Sequence, residues 1–155
     1  MTSQRRLARE RVLQALYAYD LSRSAPDFLS EDIFKDIENS TALEFAKKLF
    51  RDTLENMPAI DPVLQAHLDH WDISRVNPID RGLLRMGVAE ILYSPEIPTK
   101  VTMNEIIELA KRYSTEESPK FVNGILDAAL RQLDSEGKVV KEGRGLINTS
   151  TKKKS

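Results

Sequence analysis

From Val12 to Leu133 the apolar residues of this chain recur every three or four positions, and no stretch alternates apolar with polar. That period puts apolar side chains on one stripe of a helix, whereas a half-buried strand needs a period of two. A chain patterned this way closes a core only by packing helix on helix. Prolines and capping residues punctuate the stripes. Residues 4–22 carry Val12, Leu13, Leu16, Tyr17 and Leu21 and end before Ser24 and Pro26. Ser30 is expected to cap a short second helix, with Glu31 and Asp32 in its first turn, where carboxylates suit the macrodipole. Thr41 with Glu44 reads as a capping box for a third helix, striped by Leu43, Ala46, Phe50, Leu54 and Met57 and stopped by Pro58.

Asp61-Pro62 and Asn77-Pro78 each set a cap before a proline at the first helical position. The first pair opens a short helix with Val63, Leu64, Leu68 and Trp71. The second opens a longer one with Ile79, Leu83, Met86, Val88 and Ile91, closed by Pro95 and Pro98. Thr102 with Glu105 is a second capping box, ahead of Met103, Ile106, Ile107, Ala110 and Tyr113. Ser118-Pro119 opens the last helix, with Val122, Ile125, Leu126, Ala129, Leu130 and Leu133.

The expected fold is therefore all-α, a compact bundle of about seven helices in two helical subdomains. A three-helix part spans about 4–57 and a four-helix part about 61–134, together one domain over 1–137. Residues 138–155 are polar and basic, and are expected to be disordered. A chain of 155 residues buries roughly 70% of its unfolded surface, enough to fold without staples. It has no cysteine, which removes disulfides, thiolate metal sites and cysteine nucleophiles together. Mean hydropathy of −0.40 and the lack of any ~18-residue apolar run point to a soluble, cytoplasmic protein.

Net charge is −1, but it is unevenly spread. Residues 1–11 carry +3 and residues 138–155 carry +5, which leaves −9 on the 126 residues between them. An acidic body with basic ends suits a protein that holds a polyanion with its termini. Charged tails that only aid solubility have the same composition.

Catalytic tools are missing. The six glycines form neither a dinucleotide fingerprint nor a P-loop. His67 and His70 could share a helix face, but no third metal ligand lies nearby in sequence. No carboxylate is expected inside an apolar stripe, where burial would raise its pKa for acid–base work. No cofactor is implied.

Two places suggest a ligand instead. At 100° per residue, Arg5 and Arg9 share an azimuth with Leu16, and Arg6 falls near Leu13 and Tyr17. The arginines thus continue the apolar stripe, and the first turns of the helix are expected to overhang the bundle with their guanidinium groups on the surface. Cations there oppose the macrodipole, a cost that a bound anion would offset. On the last helix Phe121 lies about 110–120° from the stripe centre near Leu133, while Lys120 points outward. Phe121 is either a packing residue at the stripe edge or a stacking platform. Gly124 lies nearly opposite the stripe, where glycine permits close approach of another backbone.

Arg6-Leu-Ala-Arg9-Glu10, then Leu13-Gln-Ala-Leu-Tyr17 and Asp20, look like the opening helix of a known family. So do Asp80-Arg-Gly-Leu-Leu-Arg85 with Glu90-Ile-Leu, Asn104-Glu-Ile-Ile-Glu-Leu-Ala-Lys111, and Lys120-Phe-Val-Asn-Gly-Ile-Leu-Asp127. The chain resembles the NusB family of bacterial transcription antitermination factors over residues 5–133. The resemblance implies a helical RNA-binding adaptor that pairs with the small-subunit ribosomal protein NusE, holds single-stranded boxA RNA and joins the RNA polymerase antitermination complex. It implies an RNA surface at Arg5, Arg6, Arg9, Gln14, Tyr17, Glu117, Lys120 and Phe121, and a NusE contact near Asp80 and Arg81. As a carboxylate at its place in the central helix, Asp80 is expected to be exposed. Leu7 interrupts the arginine run of some relatives, and the lysine-rich tail exceeds the family core. A protein–protein scaffold without RNA contact, an adaptor in ribosomal RNA maturation, and a module of the kind fused to ribosomal RNA methyltransferases are the other readings. Monomer and homodimer both fit.

Overall fold

A computed structural model describes residues 3–69 and 71–146. Seven α-helices follow one another among them: α1 (Gln4–Ser22), α2 (Pro26–Ile33), α3 (Ser40–Glu55), α4 (Met57–Gln65), α5 (Pro78–Tyr93), α6 (Thr99–Tyr113) and α7 (Ser118–Ser135). Short 3₁₀ turns lie at Ile73–Arg75 and Gly143–Gly145, and the described residues contain no strand.

Several caps differ from expectation. Asn77 accepts from the backbone N–H groups of Ile79 and Asp80 as expected. Ser30, however, lies inside α2, which starts on Pro26. Asn39, not Thr41, caps α3, by accepting from the Ala42 N–H at 2.9 Å. Pro62 sits inside α4, which already begins at Met57 with Pro58 in its first turn. Thr102 also lies inside its helix, because Pro98 supplies the extended residue from which α6 starts, a full turn earlier. In each case an earlier residue that could start the helix pre-empted the polar side chain.

α5 is the axis of the bundle. Gly82, Leu83, Leu84, Met86, Gly87, Val88, Ala89, Glu90 and Ile91 are all buried, so the helix is enclosed nearly all round. Gly87 makes this possible on one side: a Cβ there would meet Leu126 at 3.0–3.1 Å, so α7 seats directly against the α5 backbone. One cluster of buried apolar residues runs from Ala8 on α1 to Leu133 on α7. Leu21 and Trp71, both read as core from their spacing, are exposed, since each lies at or beyond the end of its helix.

Side-chain pairs fix the helix directions. Arg9 meets Glu90 while Asp20 meets Arg81, so α1 runs antiparallel to α5. Arg6 meets Glu105 and Glu10 meets Arg112, so α6 runs parallel to α1. α1 and α6 thus share one face of the bundle, with the arginine-rich start of α1 beside the C-terminal end of α5.

Residues 138–146, expected to be disordered, fold back on that end. Val139 packs against the core and Lys141 is buried. Residues 147–155, and with them Lys152, Lys153 and Lys154, lie outside the described residues.

Candidate nucleic-acid interface

The three arginines of the α1 arm do not overhang together. Ser3 caps the helix by accepting from the Arg6 N–H at 3.0 Å, and the first turns lie over α3 and α6. Arg5 sets its guanidinium 4.5 Å from the centre of the Phe45 ring. Arg6 reaches Glu105 with two parallel bonds of 2.9 and 2.7 Å, and stays exposed enough to meet solvent. That fork holds the Glu105 carboxyl below the usual carboxylate range and raises Arg6 further above its own.

Arg9 is different. It is 2% exposed and donates to Glu90 through Nε at 2.8 Å and Nη2 at 3.0 Å. The Thr102 hydroxyl donates to the same carboxylate, and the Arg9 guanidinium also lies 5.1 Å from the Phe45 ring centre. Glu90 is the carboxylate inside an apolar stripe that the sequence reading denied. Its neighbours Ala89 and Ile91 are apolar, and the stretch of α5 from Met86 to Ile91 is buried all round, so Glu90 is enclosed with them. Arg9 therefore does not share the surface expected of the arm, because its charge is needed to neutralise Glu90 in the core.

Along the α1–α6 face two hollows run end to end. The first, about 310 Å³, is lined by Arg6, Glu10, Glu105, Glu108, Leu109, Lys111 and Arg112. Arg112 spans it to the nearly buried Glu10 carboxylate while remaining half-exposed itself. The second, about 160 Å³ and chiefly apolar, is lined by Glu10, Leu13, Gln14, Tyr17, Ile79 and Tyr113. Glu10 lines both, so the surface is continuous from Arg6 to Tyr17, roughly 16 Å along a helix. Gln14 is exposed, and Tyr17 and Tyr113 are 38% and 41% exposed.

Lys111, Arg112 and Tyr113 were missed from the sequence. Basic residues in the last turn of a helix have a sufficient local reason in the macrodipole, and that reason hides any other. Their one signal was the tyrosine beside them, at the end of an otherwise regular stripe.

At the far end of this face, the start of α5 and the α6–α7 turn are pinned together by Asp80. It is 6% exposed, and accepts from the Ser114 hydroxyl at 2.6 Å and the Ser118 hydroxyl at 2.9 Å. The expectation that Asp80 is exposed fails, since its place in the first turn of α5 faces the two serines rather than solvent. Arg81 is also engaged internally: Nη1 donates to the Val76 carbonyl at 2.7 Å and the Ser74 carbonyl at 3.1 Å, and Nη2 to Asp20. Around this corner Glu117 and Lys120 are exposed, while Phe121 is half-buried and packs against the core cluster. Phe121 therefore has both a packed side and an open one.

His67 bonds Gln132 at 2.8 Å, and His70 lies outside the described residues. Among the described residues no group of three His, Asp or Glu side chains is placed to hold a metal ion, and no helix is long and apolar enough to cross a membrane.

The model of the NusB family matches residues 6–131. A transcription antitermination protein NusB from Chloroherpeton thalassium is 41% identical over 158 residues, covering 99% of this chain and 74% of that protein. A solved structure of T. maritima NusB superposes with a TM-score of 0.80 at 37% identity, over 85% of this chain and 94% of the other. NusB in a crystal structure of the antitermination factors NusB and NusE in complex with dsRNA superposes with a TM-score of 0.77 at 32% identity, over 85% of this chain and 99% of the other.

Proposed function

The chain belongs to the NusB family, and on that premise we propose that it is a non-catalytic, cytoplasmic antitermination factor that binds boxA-type single-stranded RNA together with ribosomal protein NusE. The observation that supports this most is the α1–α6 face. It sets the exposed cations Arg6, Lys111 and Arg112, paired in turn with Glu105, Glu108 and Glu10, beside the half-open rings of Tyr17 and Tyr113, on a chain whose residues 12–137 carry −9. Such a face binds phosphates with its cations, while the acidic remainder repels the strand and confines it to one track.

Phosphate contacts set affinity, not sequence. Sequence preference comes from bases that leave the stack, lie on aromatic rings and bond along their edges. Tyr17 and the open side of Phe121 supply rings. Gln14, Glu117 and Lys120 supply acceptors and donors around them. Arg5 and Arg6 supply charge at the start of the track, and Arg9 acts by holding α1 against α5. Asp80 and Arg81 act in the same indirect way on the NusE side, by fixing the α5–α7 corner on which the partner docks. RNA polymerase enters as the machine to which this pair is delivered.

Fluorescence anisotropy with labelled boxA RNA, with and without NusE, tests the reading. Tighter binding with NusE is expected, because the partner adds surface to few contacts. Equal affinity with and without NusE, or stronger binding to duplex RNA than to the single strand, would count against it.

A further inference from the structure

A face that binds a polyanion should exclude carboxylates, yet Glu105 and Glu10 both line the first hollow of the α1–α6 face. In each of their ion pairs the carboxylate is the enclosed partner and the cation the open one. The Glu105 side chain is 16% exposed against 44% for Arg6, and that of Glu10 is 8% exposed against 54% for Arg112. The acids therefore form the floor of the hollow, and the two guanidinium groups stand at its rim.

The bonding pattern leaves the outer edge of Arg6 available. A guanidinium has five N–H donors. Arg6 gives the Nε hydrogen and one Nη2 hydrogen to Glu105, so both Nη1 hydrogens and the other Nη2 hydrogen have no partner among the described residues. That Nη1–Nη2 edge is itself a two-pronged donor that matches two phosphate oxygens. A phosphate can thus bind Arg6 without displacing Glu105. Glu105 is in turn held from behind: its Oε1 lies 3.8 Å from Arg9 Nη1, and Arg9 is bonded in the core to Glu90. A line of alternating charge, Glu90–Arg9–Glu105–Arg6, runs from the buried stretch of α5 to the surface. Across the hollow, Arg112 Nη1 donates to Glu10, and the same guanidinium lies 5.9 Å from the Tyr113 ring centre. A long side chain fixed in advance loses less freedom when it binds.

We propose that Glu105 and Glu10 are positioning residues for RNA: each holds one rim arginine, Arg6 or Arg112, with its outer N–H groups turned to the phosphodiester backbone, so that the strand meets two pre-set guanidinium groups. The inference rests on the RNA-binding reading above and deepens it. It explains why acids lie in the floor of a polyanion site, and it gives the buried Arg9 a route to the RNA surface through Glu105.

Two double-mutant cycles on the full chain test this, read by anisotropy with labelled single-stranded boxA RNA over a salt series and by melting temperature. Glu105→Gln keeps the shape of the side chain but loses the charge that holds Arg6. It should weaken RNA binding about threefold, the cost of ordering one long side chain on binding. The slope of log K against log salt should stay as in the parent, because the phosphate contact is still made. In an Arg6→Ala background the same substitution should not weaken binding, since no guanidinium remains to be held and only charge repulsion is relieved. Glu10→Gln with Arg112→Ala should behave alike. Tighter binding by the Gln variant in the parent background would mean that the carboxylate competes with phosphate for its arginine, and overturns the assignment. An equal change with and without the arginine overturns it too, as the mark of a charge acting at a distance or of a damaged fold, which melting reports. Each cycle that fails removes its own carboxylate. RNA binding that neither Gln variant changes overturns the inference and leaves the RNA-binding reading standing, whereas no RNA binding by the unaltered chain removes both.

Discussion

The two ends of α5 bury carboxylates by different means. Near its C-terminus, Glu90 is fully enclosed and met by the Arg9 guanidinium and a threonine hydroxyl. In its first turn, Asp80 is met by two serine hydroxyls, with no cation among the described residues bonded to it, where the macrodipole itself favours negative charge. A carboxylate in the middle of a packed bundle needs an opposite charge. One at a helix N-terminus is satisfied by neutral donors. The same difference sorts the cations. The Glu90 end draws Arg9 out of the basic start of α1 and into the core, whereas the Asp80 end leaves Lys120, Lys111 and Arg112 on the surface around it.

The comparison breaks most visibly at Arg9. Arg9→Ala leaves Glu90 buried without its cation and should cost ~3–5 kcal/mol, read by urea unfolding. Arg9→Met with Glu90→Leu removes both charges and should recover most of that loss, because the penalty belongs to the unpaired charge. If the double variant is as unstable as the single one, the Arg9–Glu90 pair is not what holds α1 to α5. Asp80→Ala should cost less, ~1–3 kcal/mol, as two hydroxyls lose an acceptor that water can partly replace at the edge of the bundle. Asp80→Asn should fall between the parent and Asp80→Ala in the same assay. A loss at Asp80 equal to that at Arg9 would erase the distinction between the ends.

Much of this was legible in the sequence. The helix count, the bounds of α1 and the Asn77-Pro78 start of α5 all follow from period and capping chemistry. The fate of the arginines was not. A helical wheel shows that Arg5 and Arg9 continue an apolar stripe, but two physical outcomes share that pattern: an overhanging arm, or a cation drawn into the core by a buried acid. Choosing between them needs the partner, Glu90, which is 81 residues away and lies on the fully buried stretch of α5 from Met86 to Ile91. Phe121 was legible to the extent that its margin position implies a half-buried ring, and it is one. Lys141 was illegible, because nothing in a glycine- and lysine-rich tail signals a fold-back onto a helix end.

Lys141 sharpens the comparison at the Glu90 end through pH. Burial lowers its ammonium from the ordinary 10.5 to about 8, with Glu90 and Glu96 pulling partly the other way. Between about 8 and 10.5 the unfolded chain holds a proton that the folded chain has released, so this group makes folding more favourable as pH rises through that window. Below 8 the burial penalty is complete. Melting temperatures of the parent chain and Lys141→Met at pH 7 and pH 10 isolate the effect, since other titrations cancel between them. The parent should gain on the variant at the higher pH. A constant difference would mean that Lys141 is not buried as a titrating group.

The smallest effect on folding is expected at Arg6, and that is what makes it informative. Arg6 and Glu105 form a good fork, but the guanidinium is open to water, where salt and solvent screen such a pair. Arg6→Ala should therefore leave the melting temperature at pH 7 unchanged within error. Glu105 is held below its ordinary 4.5 by Arg6, so whatever the pair adds is present above that value and is lost as pH falls through the lower folded one. Parent and variant should converge in acid. RNA binding behaves differently: losing one phosphate contact should remove ~0.7 from the salt slope. A variant that melts like the parent but binds RNA with a shallower slope places Arg6 on the RNA track, one helical turn from an arginine that never leaves the core. A variant that melts early with its slope intact would make Arg6 a second Arg9, and the arm would contribute packing alone.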